Sequence, residues 1–269
     1  MKLRQFYDIQ SASSPRGGYI DGRIMKTEAL FARHLPGPPR RLLDVGCGVG
    51  AITAYLGDRL RVGEVCGVDI AGERVEAARR AGVEAYPCEL NEEALPFPDG
   101  HFDAVFCGEV IEHLVDPDHM LDEIGRVLAP GGVCVLTTPN LASWPNRLGL
   151  LLGWQPFYTS VSLRHDAGRP RLLTSDFECL DHLRVFTWGA LREVLRLHGF
   201  RVLKVSGASL LDGLPPSRSP FGDSFRQFLL RAASPLDWAL SRVPSLAIRV
   251  IVAFTPATEA AGGQAEGKR

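Results

Sequence analysis

Apolar and polar positions along this chain alternate between two periods. Leu42 to Val45 is an apolar run carrying one acid, Asp44, and it empties into Gly46, Gly48 and Gly50 at alternate positions. Ile52, Tyr55, Leu56 and Leu60 then recur at helical spacing, which predicts a buried strand turning sharply into an amphipathic helix. The strand signal returns over 64–69, ending in Asp69. A helix over 71–81 stops at Gly82, and a third strand follows over 83–86. A turn-rich loop over 89–100 leads to a fourth strand at 102–107 and a short helical stretch at 109–114. Asp116 and Pro117 open the next helix as cap and first residue. Leu121, Ile124, Val127 and Leu128 form its inward stripe, and Pro130, Gly131 and Gly132 end it. A fifth strand occupies 133–138. Strand–helix alternation of this kind predicts a parallel sheet with helices on both faces.

Outside this block the rhythm differs. A helix over 21–35, ended by Pro36, Pro38 and Pro39, reads either as a cover for the sheet or as a lid. The rhythm breaks over 140–186, where an insertion carries Trp144, Leu148, Leu150, Leu151, Leu152, Trp154, Phe157 and Tyr158. Those residues either pack against the sheet, cover an apolar pocket or make peripheral contact with a lipid-linked acceptor. Thr187 caps a helix ending near Gly199. Strands at 201–207 and 247–254 close the pattern, with helices broken at Pro235 between them. The expected organisation is an N-terminal helical cap at 1–40, a main domain at 41–254 with its insertion at 140–186, and a disordered tail at 255–269.

Composition excludes more than it selects. A net charge of -1 over 269 residues gives no electrostatic reason for a nucleic-acid partner, and none is expected. The six cysteines form no C-x-x-C pair, so they read as reduced thiols packed in strands. The first ten residues lack an apolar core and are no signal peptide. No apolar run reaches the roughly 20 residues of a membrane span. A cytoplasmic protein is expected.

The glycine turn admits two ligands. Gly46-x-Gly48-x-x-Ala51, with Asp69 about 20 residues on, satisfies the dinucleotide fingerprint, and an NAD(P)-dependent oxidoreductase follows from it. S-adenosylmethionine sits on the same kind of turn. Several further blocks bear on the choice: Asp44 two residues before the first glycine, Cys66-Gly67-Val68-Asp69, the loop from Leu95 to Asp103, the segment Glu109-Val110-Ile111-Glu112-His113-Leu114, and the segment from Arg126 to Gly132. In this order they resemble class I S-adenosylmethionine-dependent methyltransferases, in the small-molecule branch that includes ubiquinone-pathway O-methyltransferases. The likeness covers about residues 42–140, with a weaker match at 182–187 and 198–200.

That resemblance implies a doubly wound, Rossmann-like α/β sheet of seven strands, order 3-2-1-4-5-7-6 with strand 7 antiparallel. It implies S-adenosyl-L-methionine as cofactor. Asp44 and the backbone of Gly46, Cys47, Gly48 and Gly50 would hold its methionine end, and Asp69 would accept from both ribose hydroxyls. Glu89 and Leu90 would meet the adenine, with Cys107 and Gly108 lending backbone near the sulfonium. Asp is more usual in the family where Glu89 stands here.

Methyl transfer asks the protein to align an acceptor and, where needed, take its proton. Glu109, Glu112 and His113 are spaced i, i+3, i+4, which on a helix is one face. His113 titrates nearest neutrality and leads as the base. Glu-x-x-Glu-His also resembles a segment associated with a divalent ion in ubiquinone-pathway enzymes, although no metal is assigned. His182 and Tyr7 are further pocket candidates. The reading is a methyltransferase acting on oxygen, nitrogen or carbon of a small molecule, a class that includes lipid- or glycan-linked acceptors. A non-catalytic cofactor-binding subunit is the third alternative.

Overall fold

The computed structural model describes residues 20–162, 165, 167–169, 182–209, 212 and 234–257. In chain order the elements are α1 (Gly22–His34), β1 (Arg41–Val45), α2 (Ala51–Leu60), β2 (Glu64–Asp69), α3 (Gly72–Arg80), β3 (Glu84–Pro87) and β4 (Phe102–Gly108). A 3-10 turn (Ile111–His113) then precedes α4 (Pro117–Val127), β5 (Leu128–Pro139), α5 (Trp144–Leu151), α6 (Trp188–Leu197) and β6 (Phe200–Ala208). A helical segment at 234–241, α7, precedes β7 (Arg249–Pro256).

The strands form one sheet in the order β3-β2-β1-β4-β5-β7-β6, as the resemblance implies. β1 to β5 pair in parallel, whereas β7 runs antiparallel to both β5 and β6. Side chains alternate across each strand, so one sheet feeds two cores. Leu43, Val45, Cys134, Leu136, Val252 and Phe254 face α4 and α6, which contribute Leu121, Ile124, Leu191 and Leu195. Leu42, Ala104, Phe106, Val135 and Ile251 face α1 and α2, whose Ile24, Phe31 and Leu56 are fully buried. Helix α3 closes a third, smaller cluster with Val75 and Ala78 against Cys47 and Val83.

Local signals explain the helix starts. The carboxylate of Asp21 accepts from the N–H of Ile24 at 3.0 Å, that of Asp116 from His119 at 3.0 Å, and the hydroxyl of Thr187 from Ala190 at 3.2 Å. Strand ends moved by one or two residues from their expected positions, and β5 moved further. It begins at Leu128, because Phe102 of β4 pairs with Leu128 before the register shifts to Ala104 and Val133. The Pro130-Gly131-Gly132 turn therefore lies inside the strand rather than ending a helix. Pro235 lies in the described helical segment 234–241. The rest of the helical region expected before it, like most of the tail, lies outside the described residues.

The five described cysteines are free and buried, and Cys179 lies outside the described residues. Among the described residues no helix is long and apolar enough to cross a membrane.

His198, just after α6, is held between Asp122 at 2.7 Å and Asp118 at 2.8 Å on α4. Burial pushes its pKa down, but the two carboxylates override this and the net shift is upward from 6.5. A raised folded pKa means the staple stabilises fully below about pH 6.5 and fades as pH rises through the folded value. Both aspartates are largely exposed, so screening keeps the effect under about 1 kcal/mol. Urea unfolding of the protein at pH 5.5 and pH 8.5 should show this loss, and His198→Gln should abolish it.

Candidate active site

The C-terminal ends of β1 to β5 share one edge of the sheet, and the turn and loops that follow β1 to β4 carry most of the described candidate residues. The turn from β1 into α2 takes left-handed backbone at Gly46, Gly48 and Gly50, with φ of 81°, 55° and 79°. A side chain at Gly46 would strike Val110, and one at Gly50 would come within 2.9 Å of the Ala78 backbone. Gly48 differs: nothing lies within 4 Å of the position its Cβ would take. There the backbone lies bare to the cleft, which is the fit a ligand lying across the turn requires.

Most N–H groups of this turn are committed within the protein. Gly46 and Cys47 both donate to the Val68 carbonyl at 2.8 and 2.9 Å, and Gly50 donates to Cys47 at 2.9 Å. Gly48 donates to Asp69 Oδ2 at 3.0 Å. Turn and β2 are thus pinned together. The Cys47 side chain fills the space above Gly67, and burial holds its thiol well above the usual range.

Two acids support the turn from below. Asp44 is buried, and its Oδ2 accepts from the Thr53 hydroxyl at 2.5 Å. Burial, reinforced by the negative charge of Asp69, pushes Asp44 up to about 7. Asp69 accepts through Oδ2 from Gly48 and through Oδ1 from the Ala71 N–H at 2.9 Å, so each oxygen is used once. Ala71, not Asp69, holds the N-cap position of α3. Glu89 is half-buried and accepts from the Asn91 amide at 2.8 Å. Leu90 is buried in the core beside it. Cys107 turns its thiol inward, 3.7 Å from the Met120 sulfur, so only its backbone and that of Gly108 reach the strand end.

The segment 109–114 departs from a single helix face. Only Ile111–His113 forms a 3-10 turn, and Glu109 before it is left-handed at φ 58°. The helical i, i+3, i+4 argument therefore fails, and the three side chains part company. Glu109 turns to Arg249, whose Nε donates at 2.8 Å, and to the Thr137 hydroxyl, which donates at 3.0 Å. Arg23 of α1 stands 3.7 Å away on its other side. Burial would raise the Glu109 pKa, but the two guanidiniums override that and hold it below the usual carboxylate range. Glu112 is fully buried and accepts from the Thr138 hydroxyl at 3.0 Å through Oε2, while Oε1 has no hydrogen-bond partner. Burial, then the charge of Glu109, pushes its pKa upward. The edge thus holds one ionised carboxylate clamped by arginines beside one that favours the neutral acid.

His113 is half-buried, its ring 4.7 Å from that of His182. His182 Nδ1 faces the Tyr158 carbonyl at 2.9 Å. A carbonyl only accepts, so Nδ1 carries the proton and Nε2 of the neutral ring is the acceptor. Ligand atoms of Glu112, His113 and His182 lie within 4.8 Å of one another. Glu109 is not among them: two guanidiniums already neutralise it, which breaks the oxygen-rich Glu-x-x-Glu-His set as a seat for a hard cation. Tyr7 lies outside the described residues.

The sequence does not single out Arg23, Thr137, Thr138 or Arg249, and it places Tyr158 only among the apolar residues of the insertion. Tyr158 is buried, left-handed at φ 68°, and lies under the Arg249 guanidinium at 5.1 Å. The sole trace of Arg249 in the sequence is a charge between Ile248 and Val250 in an apolar run. Its register opposite Pro139, which brings it to Glu109, follows from antiparallel pairing alone.

Comparison with known proteins agrees with this geometry. Residues 43–136 match the methyltransferase domain family. The ubiquinone biosynthesis O-methyltransferase of Idiomarina loihiensis is 28% identical over 193 residues, 67% of this chain and 74% of that protein. The demethylmenaquinone methyltransferase of Thermus thermophilus is 40% identical over 102 residues, 36% of this chain, which spans 46% of that relative's length. Among solved structures, a chain of the Haloferax volcanii complex between the Trm112 methyltransferase activator and a methyltransferase superposes with a TM-score of 0.62. It does so at 19% identity, covering 95% of this chain and 97% of that one. Residues 43–136 thus form a methyltransferase domain, and the matches support the class I S-adenosylmethionine-dependent superfamily. S-adenosyl-L-methionine, not a nicotinamide nucleotide, is its cofactor.

The raised pKa of Asp44 makes a stability prediction. An unfolded Asp ionises near 3.8 and the buried one near 7, so the folded state loses stability as pH rises between these values. Asp44→Asn should remove that slope. Between pH 4 and pH 8 the variant should gain on the parent by roughly 2–4 kcal/mol in denaturant unfolding.

Proposed function

We propose that the protein transfers the methyl group of S-adenosylmethionine to a hydroxyl oxygen of a small-molecule acceptor, with lipid-linked acceptors included in the class. The observation that carries this reading is the contact between the two halves of the site. Val110, between Glu109 and His113, stands directly over Gly46, so the titratable cluster and the cofactor turn share one cleft. The names of the curated relatives support oxygen as the atom methylated.

When bound, the cofactor supplies a methyl group already activated by a sulfonium. The remaining work falls to the chain. The turn carbonyls accept from the methionine ammonium, and Asp44 beneath them adds the negative charge that favours a cation there. Asp69 spends its remaining lone pairs on the ribose hydroxyls. Glu89 accepts from the adenine amino group while Leu90 packs on the ring, and Cys107 and Gly108 lend backbone beside the sulfonium. His113 takes the acceptor hydroxyl proton, and neutral His182 beside it shares the charge that results. Glu112, neutral and buried, adds no competing negative charge, and Glu109 holds the wall of the cleft through its arginines. On this reading 1–40 acts as a cap, with Arg23 as its link to the domain at 41–254, and the insertion at 140–186 borders the acceptor. A cytoplasmic location fits this work.

Two measurements test the halves separately. Calorimetry should show S-adenosylmethionine binding that Asp69→Ala weakens by about 10-fold or more, since charge-assisted hydrogen bonds are lost. Unchanged binding would remove Asp69 from the site. His113→Ala should lower turnover about 100-fold while cofactor affinity holds. Equal turnover in variant and parent would reject His113 as the base. A labelled methyl donor incubated with metabolite extract identifies the acceptor.

A further inference from the structure

Glu89 is one methylene longer than the aspartate more usual at its position, and the extra torsion gives its carboxylate more directions to take. The structure removes that freedom. Glu89 Oε1 accepts twice from Asn91, from the side-chain amide at 2.8 Å and from the backbone N–H at 3.3 Å. Both bonds fall on Oε1, so holding the side chain does not use Oε2.

Asn91 is fixed in its turn. Its Oδ1 accepts from the N–H groups of Val115 at 2.8 Å and Asp116 at 3.1 Å. Only the amide oxygen can meet two backbone donors, so the amide nitrogen must be the atom that faces Glu89. The anchor is held from its far side as well. Arg184 Nη2 donates to the Val115 carbonyl at 2.5 Å, and the N–H groups of Leu183 and Arg184 donate to the Glu112 carbonyl at 2.8 and 3.1 Å. Asn91 thus ties the loop after β3 to the segment that carries His113.

We propose that Asn91 is a positioning residue through which the site selects adenine as the base of its cofactor. The inference rests on the reading that Glu89 accepts from the adenine amino group. The Asn91 amide sets the direction of the carboxylate by holding Oε1, and Oε2 is then the atom that meets the amino group. A purine with oxygen in place of that amino group would set two acceptors against each other and leave the carboxylate without its bond. Such discrimination requires a carboxylate that does not swing away from the wrong base. Asn91 prevents the swing.

The test is calorimetry of the full chain with S-adenosylhomocysteine and with S-inosylhomocysteine, in which oxygen replaces the amino group. The parent should bind the adenosyl compound about 100-fold more tightly. Asn91→Asp keeps an acceptor for Val115 and Asp116 but sets a carboxylate against Glu89. The preference should then fall below about 10-fold, while thermal unfolding stays near that of the parent. Glu89→Gln should abolish the preference, since an amide nitrogen at the ε2 position donates to an oxygen and not to an amino group. If Asn91→Asp weakens both compounds equally, Asn91 merely holds the loop and the proposal is overturned. If Glu89→Gln abolishes the preference and Asn91→Asp leaves it intact, Asn91 loses its role and Glu89 keeps its own. A preference that survives Glu89→Gln, or that the parent lacks, removes Glu89 from the adenine and overturns both.

Discussion

One carboxylate between two guanidiniums holds the working edge of this protein together. Glu109 follows β4, Arg23 belongs to α1 and Arg249 begins β7, so one carboxylate with two ion pairs joins three parts of the chain. Removing one partner of so dense a cluster would leave an uncompensated charge, which costs far more than a surface pair returns. Glu109 also adopts a left-handed backbone that a non-glycine residue takes only when its surroundings hold it. The clamp supplies that hold. Its second effect is electrostatic: burial pushes the neighbouring Glu112 towards its neutral form, and the charge of Glu109 adds to that push.

The cofactor side of the cleft shows the same preference for function over stability. Asp44 is buried with the Thr53 hydroxyl as its donor, beside a turn whose Gly46, Cys47 and Gly48 N–H groups are committed to Val68 and Asp69. An acid kept there at a cost to the folded state is an acid poised for a positively charged ligand. The methyl donor carries two positive groups, its ammonium and its sulfonium. Glycine at 46 and 50 lets the turn pack against Val110 and Ala78, while glycine at 48 leaves the backbone bare. Three glycines in one motif thus serve two different ends.

Much of this was legible in the residues. The alternation of periods announced the α/β class, and the caps at Asp116 and Thr187 were read correctly because capping depends on neighbours within one turn. The segment 109–114 was misread because helical spacing was assumed to put its side chains on one face. In the structure, Glu109 is drawn away by Arg249, 140 residues later, and only a 3-10 turn remains. Leu150 and Leu151 of α5 stand exposed, a placement that apolar character alone does not predict, because periodicity names a face and not what lies against it.

The sequence by itself determined the buried strands, the glycine turn with its flanking acids, and through their ordered blocks the superfamily and its cofactor. Such features rest on backbone conformation and short-range packing, which a few adjacent residues specify. The tertiary structure alone decided which charges meet. Inserting β7 antiparallel between β5 and β6 carries Arg249 to the end where the parallel strands finish, opposite Pro139. Coulomb energies between residues so remote depend on register and burial, and neither is written in any one stretch of the chain.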